Sequence, residues 1–406
     1  IQAAVNEANP GDTIQVGAGT YNESVTINKS ITLTGDCGDL DLPGPGPNAP
    51  ILDGTGQEDH KHGFYIIGEN ASNVTIEGFE IRNFSGSEAS GIFGNRLGVN
   101  DVTIKYNHIH DVRAHGVRVF NGYAAESMTD WVVTYNVIEK FGGGGGSGIY
   151  FVGVSGSQIS NNKILNPTVN CPAILLKAEV TGDVHLIMSD ITISNNEIID
   201  YPDRAIYVLA NANYHYTHAT IKDVNIAGNT ITGDAQAITF WAYGDGTNEL
   251  KDMNITDNNI TVNYPDSEGI EAVYLDNVRG SSNFIGNTIN VVGDGGGYCE
   301  GIVICGGDTE SWTLDDNYID GHNKKSSYGV YYFWIPAEAP LNMNRNTITG
   351  WDLGIRGYEG TAQATLRSNL IYGNNTGTKV DGPNIDATLN FWGHESGPFH
   401  STNQEG

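Results

Sequence analysis

Lys177, Arg204 and Tyr207 are of the types that elimination or epimerisation on an acidic sugar requires. Such a reaction needs a cation to neutralise the uronate and a base to take the C5 proton. Asp276, joined by Glu271 and Glu300, offers the other chemistry of polysaccharides, in which two carboxyl groups flank a glycosidic bond. A third group gathers His185, Tyr214, His215, Tyr216 and His218 within two neighbouring segments. The three-residue step from His215 to His218 is a weak metal signature, and no metal site is assigned there. Four scattered methionines do not make a copper site. The four cysteines read neither as a disulfide framework nor as a zinc site. No cofactor is read from these residues, and calcium is the one candidate kept open.

The bulk composition bounds the rest. The chain has 406 residues, with 20 Lys and Arg against 48 Asp and Glu, a net charge of −28. That excludes nucleic acid as an expected partner. No run of 18 apolar residues occurs, so no membrane span is expected in this segment. The 53 glycines exceed the usual ~7%, while prolines number only 13. Many short strands joined by tight turns suit that balance.

What must position the chemistry is a repeat. The stretches "ISNNKI", "ISNNEI", "IAGNTI", "ITDNNI", "FIGNTI" and "MNRNTI" share an Asn two residues before an Ile. Aligned on it, the copies fall at Asn107, Asn136, Asn162, Asn196, Asn229, Asn258, Asn287, Asn317, Asn346 and Asn369, with Phe79 in its place once. A period near 29 residues that tolerates insertions signals a solenoid. A second motif keeps step, small–aliphatic–x–aliphatic, as in "GVRV" (116–119), "AIYV" (205–208) and "GIVI" (301–304). Each period thus holds about three short alternating strands and no helical pattern. The expected fold is all-β, a single right-handed parallel β-helix of about twelve coils with three strands each. The Asn should sit at an inward bend, tolerated there for its left-handed φ/ψ. Each amide would donate to one neighbouring coil and accept from the other, forming a ladder.

The residues also carry a resemblance. The opening "IQAAVNEANPGDTIQVGAGTYNESVTINKSITLTG" resembles the entry segment of the pectin-lyase-like superfamily of right-handed parallel β-helix repeat proteins. There a short helix caps the open end and a "GDTI-x-V-x-x-G-x-Y" strand pair follows. The closing "NFWGHESGP" (390–398) resembles the motif that ends many secreted and cell-surface members, especially of methanogenic archaea. The resemblance implies one β-helix domain over 1–406, with a capping and entry segment at 1–35, coils at 36–380 and a closing segment at 381–406. It also implies a module of a longer chain. For function it is open, since the same solenoid carries lyases, hydrolases, epimerases and non-catalytic surface proteins.

Outward positions narrow the choice. If the Ile of each small–Ile motif points inward, the next residue points out. That column and its neighbour hold Tyr150, Tyr207, Trp241, Tyr274, Tyr331 and Phe333, an aromatic stripe expected to be exposed. A sugar groove, covering loops and a subunit contact all fit it. The excess residues of the two longest coils, 178–190 and 210–219, would form a loop wall carrying His185, Tyr214, His215 and His218. The reading preferred is an extracellular or cell-surface structural module. Its stripe would meet copies of itself, other surface proteins or a surface polysaccharide. The alternative is a polysaccharide-active enzyme with its groove on the same stripe. It would be a uronate lyase or epimerase using Lys177, Arg204, Tyr207 and Asp276, or less readily a glycoside hydrolase.

Overall fold

The computed structural model describes residues 1–57, 61–96, 98–180, 185–211, 218–243, 248–263, 269–293, 299–306, 309–323, 325–336, 339–358, 363–381, 385–395 and 397. Regular structure among them is strand throughout, apart from the six-residue helix Gln2–Glu7. No helix is long and apolar enough to cross a membrane. Each strand pairs in parallel with its counterpart three or four strands later, giving three thirteen-stranded sheets and one two-stranded sheet. The three large sheets are called A, B and C here, after their first strands Thr13–Gln15, Thr20–Tyr21 and Val25–Ile27. This is the expected parallel β-solenoid with one rung more than the count of about twelve.

Alternation builds each rung. In strands such as Val102–Lys105 and Trp131–Thr134 every second side chain is buried. The inward residues stack in register, Ile76 on Ile104 and Ile104 on Val133. Rungs lie ~4.8 Å apart, so identical apolar side chains meet their own kind and exclude water.

The bend between sheets A and B differs from expectation in one respect. The ladder Asn is not the left-handed residue; the one before it is. Tyr106, Tyr135, Asn161, Asn195, Asp257, Asp316, Arg345 and Ser368 have φ of 53–57°, with glycine at 228 and 286. That residue turns the chain, which frees the Asn to point its amide into the interior. Identity at the turning position is loose because a single left-handed residue has a modest cost.

Cα proximity divides the chain into two compact units, Ile1–Ile221 with Tyr243–Asn248, and Lys222–Ala242 with Glu249–Gly406. In the first, the helix buries Val5 and its final turn is capped by Lys29, whose ammonium donates to the Ala8 carbonyl at 2.8 Å. The ladder here runs from Asn107 through Asn136 and Asn162 to Asn196. Each Nδ2 donates to the next Oδ1 at 3.0–3.1 Å. Phe79 takes the first place by donating its backbone N–H to Asn107.

In the second unit the ladder links Asn229, Asn258, Asn287, Asn317, Asn346, Asn369 and Asn390. Asn390 belongs to the closing segment, which bridges Thr365 to Asp386 and Leu370 to Phe391. Trp392 lies against Gly377, where a Cβ would approach its ring to 2.9 Å.

Candidate functional site

Sheet C carries the stripe on its outer face. None of Tyr150, Tyr207, Trp241, Tyr274, Tyr331 and Phe333 is exposed; all are half-buried. The exposure expected of them is reduced because flat groups lie on the rings. His115 stacks on Tyr150 at 4.7 Å, the Arg204 guanidinium lies 4.6 Å over Tyr207, and Tyr331 packs on Phe333 at 4.8 Å.

The residues proposed for uronate chemistry do not form one constellation. In the first unit Lys177 is held by Glu179 at 2.8 Å and Arg204 by Asp203 at 2.7 Å. Both cations are therefore already countered. Burial raises the Tyr207 phenol, which makes it a poorer base. Asp276 belongs to the second unit. His185 and His218 open ten-residue strands of sheet A, His185–Ser194 and His218–Ala227, rather than standing on loops. The strand takes up the excess because "HLIMSDITIS" already alternates. Their rings meet edge to face at 5.8 Å, and His185 Nε2 lies 2.9 Å from the Thr220 hydroxyl. Tyr214 and His215 lie outside the described residues. Among the described residues no three His, Cys, Asp or Glu side chains are grouped to hold a metal ion.

The second unit gathers a different set. Its sheet C strands include Gln236–Tyr243, Ile270–Asp276, Cys299–Cys305 and Tyr328–Phe333. At the strand entries Glu271 stands across from Glu300, and Glu300 across from Tyr328. The small residue that follows has a steric cause. A Cβ on Gly301 would come 2.5 Å from the Gly329 carbonyl and 2.8 Å from Ile319. The chain passes close to its neighbours there, and the residue before it is turned to the outer face.

Glu271 accepts from the Gln236 amide at 2.6 Å, and Gln236 in turn accepts from the Thr239 hydroxyl at 3.0 Å. Glu300 is only 4% exposed. Burial, and then the neighbouring Glu271 charge, push its carboxyl up to about 8. At neutral pH it carries a proton. On the next strand, three residues past Tyr328, the Tyr331 phenol is raised by burial and then by Glu300. Further along, Tyr274 and Asp276 share one strand, and Asp276 stands across from Cys305 on the next. Burial raises all three of these groups, the thiol to about 12.

The outcome is a row of carboxyls flanked by tyrosines, able to hold a proton and to offer ring faces. The pairing of Glu271 with Glu300 was readable from their shared place before the small residue. Gln236 and Tyr328 occupy the same place in the repeat, a signal that could have joined them to the pair.

No protein-family model and no curated protein matches the chain. Solved structures that resemble it include the A-module of a mannuronan C-5 epimerase from Azotobacter vinelandii. That match has 13% identity, covers 95% of this chain and 94% of that one, and has a TM-score of 0.48. The tailspike protein of E. coli bacteriophage HK620, in complex with a pentasaccharide, is 12% identical over 96% of this chain and 73% of that one, with a TM-score of 0.49. A surface adhesin of Streptococcus pneumoniae is 15% identical over 82% and 86%, with a TM-score of 0.44. At these identities the likeness concerns the course of the chain and not its chemistry.

Proposed function

We propose that this chain is an extracellular, cell-surface β-helix module that contacts a glycan through the outer face of sheet C in its second unit. The observation that carries this reading is the interleaving of rings with hydrogen-bonding groups at rung spacing. Trp241, Tyr274, Tyr331 and Phe333 alternate with Gln236, Glu271 and Asp276 on half-buried positions. Sugars present C–H faces to rings and hydroxyls to amides and carboxyls. A subunit contact is the weaker alternative, because the centres of protein interfaces are depleted of Glu and Asp. The test is calorimetric titration with neutral, acidic and basic oligosaccharides. Binding by one class should be lost in a Tyr274→Ser, Tyr331→Ser double variant that stays folded. Saturable binding by none, together with self-association of the parent, would replace the glycan with a second copy.

A hydrolytic reading is favoured by one observation: the protonated Glu300 beside the Glu271 carboxylate. One group could give a proton to a leaving oxygen while the other attacks or activates water. Release of reducing ends that disappears in Glu300→Gln would establish it. A uronate lyase or epimerase has less support, since Lys177 and Arg204 are each countered by an acid.

A further inference from the structure

The Glu271–Glu300 row is short of positive charge. Glu300 makes no side-chain hydrogen bond to another described residue, although the protein buries it almost completely. Among the described residues no Lys, Arg or His lowers the Glu300 or Asp276 carboxyl. Arg356, which acts on Tyr331, is itself held by Asp381. Arg279 is held by Glu249 at 3.0 Å.

Around the two carboxyls stand aromatic rings. Tyr328 faces Glu300 from the next strand and packs on Tyr331 at 5.2 Å. Tyr274 shares a strand with Glu271, which acts on its phenol. Two carboxyls in a low-dielectric place, beside tyrosines and without a cation among the described residues, complement one kind of ligand group. It must bring a positive charge, several N–H donors and a small apolar shoulder. Ammonium meets all three demands, through charge-assisted hydrogen bonds to carboxylates and attraction to ring faces.

We propose that Glu271, Glu300, Tyr274, Tyr328 and Tyr331 form a subsite for a protonated amine. This makes the ligand an amino-sugar polymer and not a uronate polymer. The inference rests on the glycan reading above and specifies its substrate class. A uronate would bring a further negative charge against Glu271 and Glu300, with Arg356 and Arg279 already engaged. An N-acetylated sugar would leave the carboxyls without their cation.

The subsite has a thermodynamic signature. The free protein keeps a proton on Glu300 at neutral pH. An ammonium placed beside it favours the ionised form, so binding should release that proton to the buffer. Among the described residues the groups facing Glu300 are Glu271 on one neighbouring strand and Tyr328 and Tyr331 on the other. Burial, and then Glu300, raise the Tyr331 phenol, so it holds its proton in this range, and Glu300 accounts for the exchange.

The experiment is calorimetry of the full chain with a β-1,4-linked glucosamine tetramer near pH 6, in two buffers of different ionisation enthalpy. The expected result is release of up to about one proton per bound tetramer. The N-acetylated tetramer should bind at least tenfold more weakly and release none. Glu300→Gln should abolish the release, and Glu271→Gln should weaken binding by tenfold or more; circular dichroism melting of both variants confirms folding. Equal binding of the amine and N-acetyl tetramers without proton release overturns the subsite and leaves a glycan site of another class. Tighter binding of a uronate tetramer also overturns it. Binding of no oligosaccharide of any class fails the glycan reading itself.

Discussion

The same strand-entry column of sheet C reads differently in the two units. In the first it runs Glu23, His62, Ser90, His115, Ser147, Pro172 and Arg204; in the second it runs Gln236, Glu271, Glu300, Tyr328 and Leu353. His62 and His115 each accept a backbone N–H from the next strand through Nδ1, at 3.1 and 2.9 Å. They act as internal caps. Nearby, Arg118 lies between Phe93 and Phe120, at 4.7 and 5.4 Å from their centres. The middle rungs of the second unit put the Glu271 and Glu300 carboxyls where those of the first put the His62 and His115 imidazoles. One rung geometry therefore supports opposite electrostatics, because the inward residues and the ladder fix the backbone while the outward ones are free to vary.

The largest expected effect is on pH dependence, and the signs are opposite. Burial, assisted by Arg118, drops His115 from 6.5 to about 3, so it is neutral in the fold. Stability it contributes is present above pH 6.5 and is lost as pH falls toward 3. Glu300 runs the other way. Its carboxyl is raised from 4.5 to about 8, so its contribution is present below pH 4.5 and is lost as pH rises through 8. At about 1.4 kcal/mol per pKa unit, each effect is on the order of 5 kcal/mol at most. Denaturant midpoints should show Glu300→Gln gaining on the parent between pH 6 and 9, and His115→Gln gaining between pH 6 and 4. Parallel pH curves for parent and variants would show that both residues titrate as they would in water.

Next in size is the ladder, which should behave alike in both units. Asn196→Ala and Asn258→Ala each remove a buried amide that satisfies backbone and neighbouring amide groups. A loss of about 1–3 kcal/mol is expected at either site. An unchanged midpoint at Asn196 alone would mean that the two ladders are not equivalent. The smallest effect separates two buried tryptophans. Trp131 donates its indole N–H to the Val99 carbonyl at 3.0 Å, whereas Trp312 Nε1 is buried with no partner. Trp131→Phe should cost about 1 kcal/mol more than Trp312→Phe, and equal costs would show that an unseen water serves Trp312.

The fold was legible because its determinants repeat. An Asn before an Ile, returning ten times, identifies the bend without any knowledge of what surrounds it. Even there one detail was misplaced, since the left-handed turn belongs to Tyr106 or Asp257 and not to the Asn that follows. The pattern of identities could not separate two adjacent positions of one bend. The candidate site was less legible because its properties depend on neighbours across rungs. The half-burial of Tyr207 is a consequence of Arg204, and that of Tyr150 of His115. Glu300 looks like any turn acid until the close pass of Gly301 against Gly329 orients it. His185 and His218 were read as loop residues because insertions usually loop out.

The ladder of the second unit has a direction. All of its amides donate toward higher residue numbers, from Asn229 to Asn390. Their dipoles therefore add instead of cancelling, with the positive end at Asn390. Each bond polarises the next, so the row is cooperative. Cutting it at Asn317 would leave two short rows, each weaker per bond than the parent, whereas removing Asn390 would only shorten it by one link. Two cuts made together should then cost less than the sum of the two made separately, as when a magnet already broken is broken again.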